Sequence, residues 1–187
     1  MTLIDDALLR DKHEAVVARL ADDPTFGLMR PMVEATLIED VSVSSRFVQY
    51  DREFTFLSDE AAIRGGKETG PSPMRYFLSG IAFCSLGWWA KGAALQGVDL
   101  GSLSVVLRTF LDMRGEHGFA DVPAAPQWLV AEVTTSGGAD PAAVLSVIDW
   151  GLASCPLANL VVRAMPVHVK VTHDGDVIRD DIPEHAR

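Results

Sequence analysis

Cysteine is scarce in this chain: there are only two, Cys84 and Cys155. No Cys-X-X-Cys pair exists and the five histidines are scattered, so the ligand spacing of a structural zinc site is missing. Neither a metal nor any other cofactor is expected. Positive charge is also short, with 16 Lys and Arg against 26 Asp and Glu and a formal net charge of −10. No cationic stripe is left to track phosphates, which argues against a nucleic-acid partner. Uninterrupted apolar runs are missing too. The longest, from Tyr76 to Ala90, is broken by Ser79, Gly80, Ser85 and Gly87 and falls short of the roughly 20 residues that span a bilayer. No membrane partner is therefore expected. The N-terminal MTLIDDALLR is acidic and lacks the basic-then-apolar order of a secretory signal. Internal repeats and low-complexity segments are absent. The composition, 48% hydrophobic and 22% charged over 187 residues, is that of one globular, cytoplasmic protein with enough length for a sizeable core. In a reducing cytoplasm a permanent disulfide is not expected.

The elements that are present follow from periodicity and punctuation. Asp5 to Leu20 reads as a short amphipathic helix, with Leu8, Leu9, Val16, Val17 and Leu20 as its apolar residues and Asp5 or Asp6 as its cap. This helix and the DDPTFG break belong to an N-terminal extension, residues 1–37, ahead of a main domain at 38–187. From Ala35 to Leu57 short β-like runs take over, ATLIEDVSVSSRFVQY and REFTFL, joined through Asp51 as paired strands. The stretch SDEAAIRGGKETGPSP is loop-like. Pro73 then opens a long helix that runs to Gly97. Two further strands are expected in LSVVLRTFLDMR and QWLVAEVTTSG. Asp140 and Pro141 start a second helix that runs to Cys155. LANLVVR continues as helix, and MPVHVKVT and DVIRDD close the chain as strands. The fold class is α+β, with two apolar helices packed on antiparallel sheets.

Each cysteine sits on an apolar stripe of its own helix. Phe77, Ile81, Cys84 and Trp88 are spaced at i, i+4, i+7 and i+11, as are Val144, Ile148, Gly151 and Cys155. Pro156 disfavours helical geometry at Cys155, which places that thiol at a kink or helix junction. Three readings stay open on the residues alone: both thiols fill space, one is reactive, or the two act together.

GPSPMRYFLSGIAFC, followed much later by ASCPLANL, resembles the OsmC/Ohr family of osmotically induced and organic-hydroperoxide-resistance proteins. The specific parts are a proline-led helix ending in a cysteine and a second helix carrying Cys-Pro. The resemblance extends over residues 38–172. It implies an intertwined homodimer whose two central helices are wrapped by sheets from both chains. It further implies a thiol peroxidase that reduces organic hydroperoxides. Carried over by position, Cys84 matches the peroxidatic cysteine and Cys155 the resolving one. Arg64, nine residues ahead of Pro73, matches the arginine of the OsmC-type branch. Phe77, Ile81 and Trp88 are the candidates to line an apolar substrate pocket. A dithiol, in the family a lipoylated protein, is implied as the reductant.

The pattern departs at one position. Family peroxidases carry a glutamate directly after the helix-leading proline, where it orients the arginine; here Met74 stands there. Glu68, or an acidic residue of the first strands such as Glu53, is a candidate to take its place. The chemistry needs such help, because the thiol form is a poor nucleophile and apolar burial raises the pKa of cysteine. The alternative reading is the same dimer with weak or different thiol chemistry, or one that binds an apolar small molecule at its interface.

Overall fold

The computed structural model describes residues 3–187. It divides into two compact units, residues 16–79 and residues 3–15 together with 80–187. Two helices, α1 (Asp6–Asp22) and α2 (Pro73–Gln96), run from one unit into the other.

The 16–79 unit is built on a three-stranded antiparallel sheet in the order β1 (Glu34–Glu39), β2 (Ser42–Gln49), β3 (Arg52–Ser58). The first β-like run of the sequence is thus two strands. It folds back at Asp40, which carries the positive φ (51°) that an acidic turn residue tolerates. The second hairpin has a two-residue loop, Tyr50-Asp51, with φ of 56° and 57°. Positive φ at both central residues is the primed turn whose twist matches that of paired strands. Phe47 stacks on Phe54 and Phe56 across β2 and β3, and Phe56 meets Tyr76 edge-on. Val33, Val43, Phe47, Phe56, Pro73 and Tyr76 line an open groove of about 410 Å³. Within this unit β1 is exposed along its whole length.

The 80–187 region carries a four-stranded sheet, β4 (Ser102–Thr109), β5 (Leu129–Ser136), β6 (Val167–His173) and β7 (Asp176–Asp180), in that order. The pairs β4–β5 and β6–β7 are antiparallel, but β5 and β6 run parallel. That single departure from the expected antiparallel sheets follows from the helical crossover between them, α4 (Pro141–Ser154) and α5 (Pro156–Ala164). The expected strand over residues 103–114 ends at Thr109. Asp112 instead caps a one-turn helix, α3 (Met113–Glu116), accepting from Arg114 N at 2.9 Å.

The core of this region lies between the sheet and the two central helices. Trp89, Ala93, Val133, Val144, Val147, Ile148 and Val171 are each at most 1% exposed. α2 and α4 meet through reciprocal tryptophan–glycine contacts. A Cβ at Gly151 would lie 2.3 Å from Trp89 Cδ1, and one at Gly92 would lie 2.8 Å from Trp150 Cε3. A mid-helix glycine costs about 1 kcal/mol relative to alanine; here it admits an indole ring where no side chain fits. Trp89 Nε1 also donates to Ile148 O at 3.1 Å.

α1 starts where its sequence places it, with Asp5 Oδ1 accepting from Leu8 N at 3.0 Å. None of its residues is buried, and Leu8, Val16 and Val17 remain about half exposed. Its first half is tied to the end of α2 by Arg10 Nη2, which donates to Ala94 O at 2.8 Å. Ala94 is in the last helical turn, where carbonyls lack intrahelical partners. Gly97 (φ 66°) ends α2, with Val98 N reaching back to Ala93 O at 3.0 Å.

Candidate active site

The two cysteines meet within the 80–187 region. Cys155 has extended backbone geometry (φ −74°, ψ 116°) and is at once the end of α4 and the N-cap of α5. Pro156 forces this, and the two helices meet with a bend of 79°. Its Sγ accepts from Ala158 N at 3.4 Å and lies 3.9 Å from Ser85 Oγ, a residue of α2 next to Cys84. Cys155 is fully buried, whereas Cys84 is half-buried, and neither is in a disulfide.

The electrostatics of Cys84 follow from that setting. Burial first, and then the neighbouring Cys155 sulfur, push the Cys84 thiol above its ordinary value. The backbone N–H of Leu157, at the start of α5, and more weakly the Lys91 ammonium act in the opposite sense. Lys91 sits two turns along the Cys84 face of α2, its Nζ 4.5 Å from the centre of the Trp88 ring. Trp88 in turn packs against Trp150 at 5.7 Å.

The sequence-predicted site residues are therefore placed differently. The buried stripe of α2 runs through Ile81, Ser85, Trp89 and Gly92, and the half-buried Cys84 and Trp88 lie beside it. Ile81, at 3% exposure, faces the core, where it lines a residual void of only 10 Å³ with Leu129, Val161 and Val167. Phe77 is 39% exposed and belongs, like Arg64, to the 16–79 unit.

Arg64 lies at the end of a short 3-10 turn, Ala62–Arg64, in a loop closed by carboxylates. Asp59 is buried, and its Oδ1 accepts from Glu60 N at 2.8 Å. Its Oδ2 accepts from Lys67 N at 3.1 Å, Thr69 N at 3.1 Å and Thr69 Oγ1 at 2.8 Å. These donors, Thr69 foremost, hold the Asp59 carboxyl well below the usual carboxylate range. Because the folded state lowers this pKa, its contribution to stability is complete above the unfolded value of about 3.9 and fades as the pH falls below it. Asp59→Asn is expected to flatten the acid limb of a stability–pH profile measured by urea unfolding. An unchanged limb would remove Asp59 from that role.

Neither acidic residue expected to serve Arg64 touches it in a described contact. Glu53 approaches Arg46 at 3.7 Å, and Glu68 Oε1 accepts from Ala62 N at 3.1 Å. Among the described contacts, Glu60 brings a carboxylate oxygen to 3.2 Å from Arg64 Nε. Sequence spacing contained the signal, since Glu60 stands at i−4 from Arg64, but the segment read as loop, where that spacing carries no meaning. The Ala158 and Leu157 N–H groups were missed for a similar reason: a backbone donor is visible only once Cys155 is known to be an N-cap.

Among the described residues no single helix is long and apolar enough to cross a membrane. A family model described as OsmC-like protein matches residues 65–170, beginning one residue after Arg64. None of the curated proteins compared with the chain matches it. Solved structures do. An OsmC-like protein from Mycoplasma pneumoniae is similar with a TM-score of 0.63 at 18% identity, over 78% of this chain and 97% of that one. An organic hydroperoxide resistance protein, OsmC, from Legionella pneumophila gives 0.59 at 16% identity, covering 78% and 98%. An organic hydroperoxide resistance protein from Elizabethkingia anophelis gives 0.59 at 12%, covering 78% and 99%. Identities this low establish the shared fold. With the family model spanning more than half of its residues, the chain belongs to the OsmC-like protein family.

Proposed function

We propose that this protein is a homodimeric thiol peroxidase that reduces organic hydroperoxides in a reducing, cytoplasmic setting. The observation that carries the reading is the pairing of a half-buried Cys84 with a fully buried Cys155 at the start of α5. An attacking sulfur must be reached by substrate, and a resolving sulfur need only reach the first one. The Cys84 thiolate attacks the terminal oxygen of the hydroperoxide, the O–O bond breaks, and the alkoxide leaves and takes up a proton as the alcohol. Cys84 is thereby oxidised to a sulfenic acid. The Cys155 sulfur then attacks Cys84, forming the S–S bond, and hydroxide leaves and is protonated to water. A dithiol, of the lipoylated-protein kind, reduces the disulfide and is itself oxidised.

Because burial raises the Cys84 pKa, the thiolate needs a cation, and Arg64 is assigned that role by its match to the family motif. Being permanently charged, it can also donate to the peroxide oxygens. Phe77 and Trp88 are proposed to contact the organic part of the substrate. The homodimer is supported by the apolar side chains that one copy leaves bare. In the 16–79 unit Leu37 (62%), Val48 (72%) and Tyr50 (81%) are exposed, and so, on α2, is Phe83 (73%).

The groove of about 410 Å³ lined by Val43, Phe47, Phe56 and Tyr76 favours a second reading, a dimer that binds an apolar small molecule. Mass spectrometry after one equivalent of cumene hydroperoxide separates the two. The peroxidase reading expects a Cys84–Cys155 disulfide in a protein that sediments as a dimer. Two cysteines still reduced after this treatment would leave the binding reading in its place.

A further inference from the structure

We infer that Glu60 is the positioning residue of Arg64, taking over in this chain the work of the carboxylate that Met74 replaces. The inference rests on the peroxidase reading, in which Arg64 serves the Cys84 thiolate. Glu60 Oε2 lies 3.2 Å from Arg64 Nε, with both side chains less than a third exposed. A carboxylate at Nε sets the plane of the guanidinium, and an arginine already held in place loses less freedom when it binds its target.

What distinguishes this pair from an ordinary surface i,i+4 contact is that Glu60 is itself fixed. Its N–H is bound by the buried Asp59 carboxylate at 2.8 Å. Its carbonyl accepts from Glu68 N at 3.3 Å. Gly66 packs so tightly against it that a Cβ there would fall 1.9 Å from Glu60 O. The same loop closes on itself through Arg64 N to Ala61 O at 2.8 Å and Gly66 N to Ala61 O at 3.2 Å. Gly65 turns at φ 88°, a left-handed value that favours glycine. Asp59 gathers the far end as well, through Lys67 N and Thr69 N. The segment DEAAIRGGKET is thus a preformed mount that holds the Glu60–Arg64 pair. The buried Asp59 carboxylate, satisfied by these donors, holds the backbone that carries Glu60.

The role separates from simple stability by a double-mutant cycle and by a readout that needs no turnover. Wild type, Glu60→Gln, Arg64→Ala and the double variant are compared for hydroperoxide consumption at equal folded fraction. Solvent exchange of the Arg64 Nε proton is followed by ¹⁵N NMR, the signal being assigned by its loss in Arg64→Ala. Glu60→Gln is expected to speed that exchange and to slow consumption on the order of 100-fold, the scale of a misplaced catalytic group. In the Arg64→Ala background the same change should cost nothing further. Met74→Glu alone is expected to leave the wild-type rate unchanged, because Arg64 already has its carboxylate. An Nε exchange rate indifferent to Glu60→Gln, an additive cycle, or a rate raised by Met74→Glu would each overturn the inference. A wild-type chain that consumes no hydroperoxide sinks the peroxidase reading instead, and Glu60 is then judged by the Nε exchange alone.

Discussion

On the proposed cycle, Cys84→Ser is expected to reduce hydroperoxide consumption to the uncatalysed background, whereas Cys155→Ser should stop turnover only after the first oxidation. A serine hydroxyl in place of Cys84 supplies no thiolate and cannot enter the oxidation ladder at all. With Cys155 replaced, the sulfur next to Cys84 that would condense with the sulfenic acid is gone. The half-buried Cys84 is then open to a second equivalent of oxidant and should climb to the sulfinic acid. The measurement is paired: turnover with a dithiol present, and the mass of the Cys84 peptide after excess hydroperoxide. Equal tolerance of both changes, or over-oxidation found on Cys155, would reverse or remove the two roles. The unequal burial of the sulfurs is what makes the two outcomes differ.

The second large effect is one of stability. Trp89→Ala is expected to cost about 3–5 kcal/mol, the range for deleting a fully buried tryptophan. Against a total stability of roughly 5–15 kcal/mol, that is enough to bring the protein near unfolding. Trp89 is wholly buried, fills the space above Gly151 and bonds to Ile148 O. Its loss therefore removes apolar burial, leaves a cavity and loosens the α2–α4 contact together. Urea unfolding followed by circular dichroism measures it, and a loss below about 1 kcal/mol would mean that the helices can close the gap. A looser crossing should also slow disulfide formation, since Cys84 precedes Trp89 on α2 and Cys155 ends α4.

Much of this organisation was legible in the sequence. Pro73 and Gly97 bounded α2, Asp140 and Pro141 opened α4, and Pro156 announced the extended geometry at Cys155, because each acts through local backbone chemistry. Strand count failed at Asp40, where an acidic residue took up a positive φ that the sequence ATLIEDVSVSS does not advertise. The parallel pairing of β5 and β6 is a property of the crossover and not of either strand's composition. For the site, spacing alone put Cys84 and Cys155 on helical stripes, and their meeting had to come from the packing of α2 against α4. It grouped Ile81 with Cys84 and Trp88 on one stripe, whereas the stripe that turns inward joins Ile81 to Ser85 and Trp89. In a helix that is apolar on nearly every face, periodicity names several stripes equally well and only tertiary contacts choose between them. The partner of Arg64 escaped for the opposite reason, being set by a loop whose shape depends on a single buried aspartate.

The position of Cys155 as an N-cap bears on how the oxidised protein would be returned to use. In the proposed cycle a dithiol would reach the disulfide from the half-buried Cys84 side, so the mixed disulfide would form there and Cys155 would be the sulfur expelled. A departing thiolate is easier to expel when its charge is met on arrival. Ala158 N–H already points at that sulfur, and the positive end of α5 lies behind it. The bend forced by Pro156 would thus give the proposed regeneration a direction: entry at one sulfur, exit at the other.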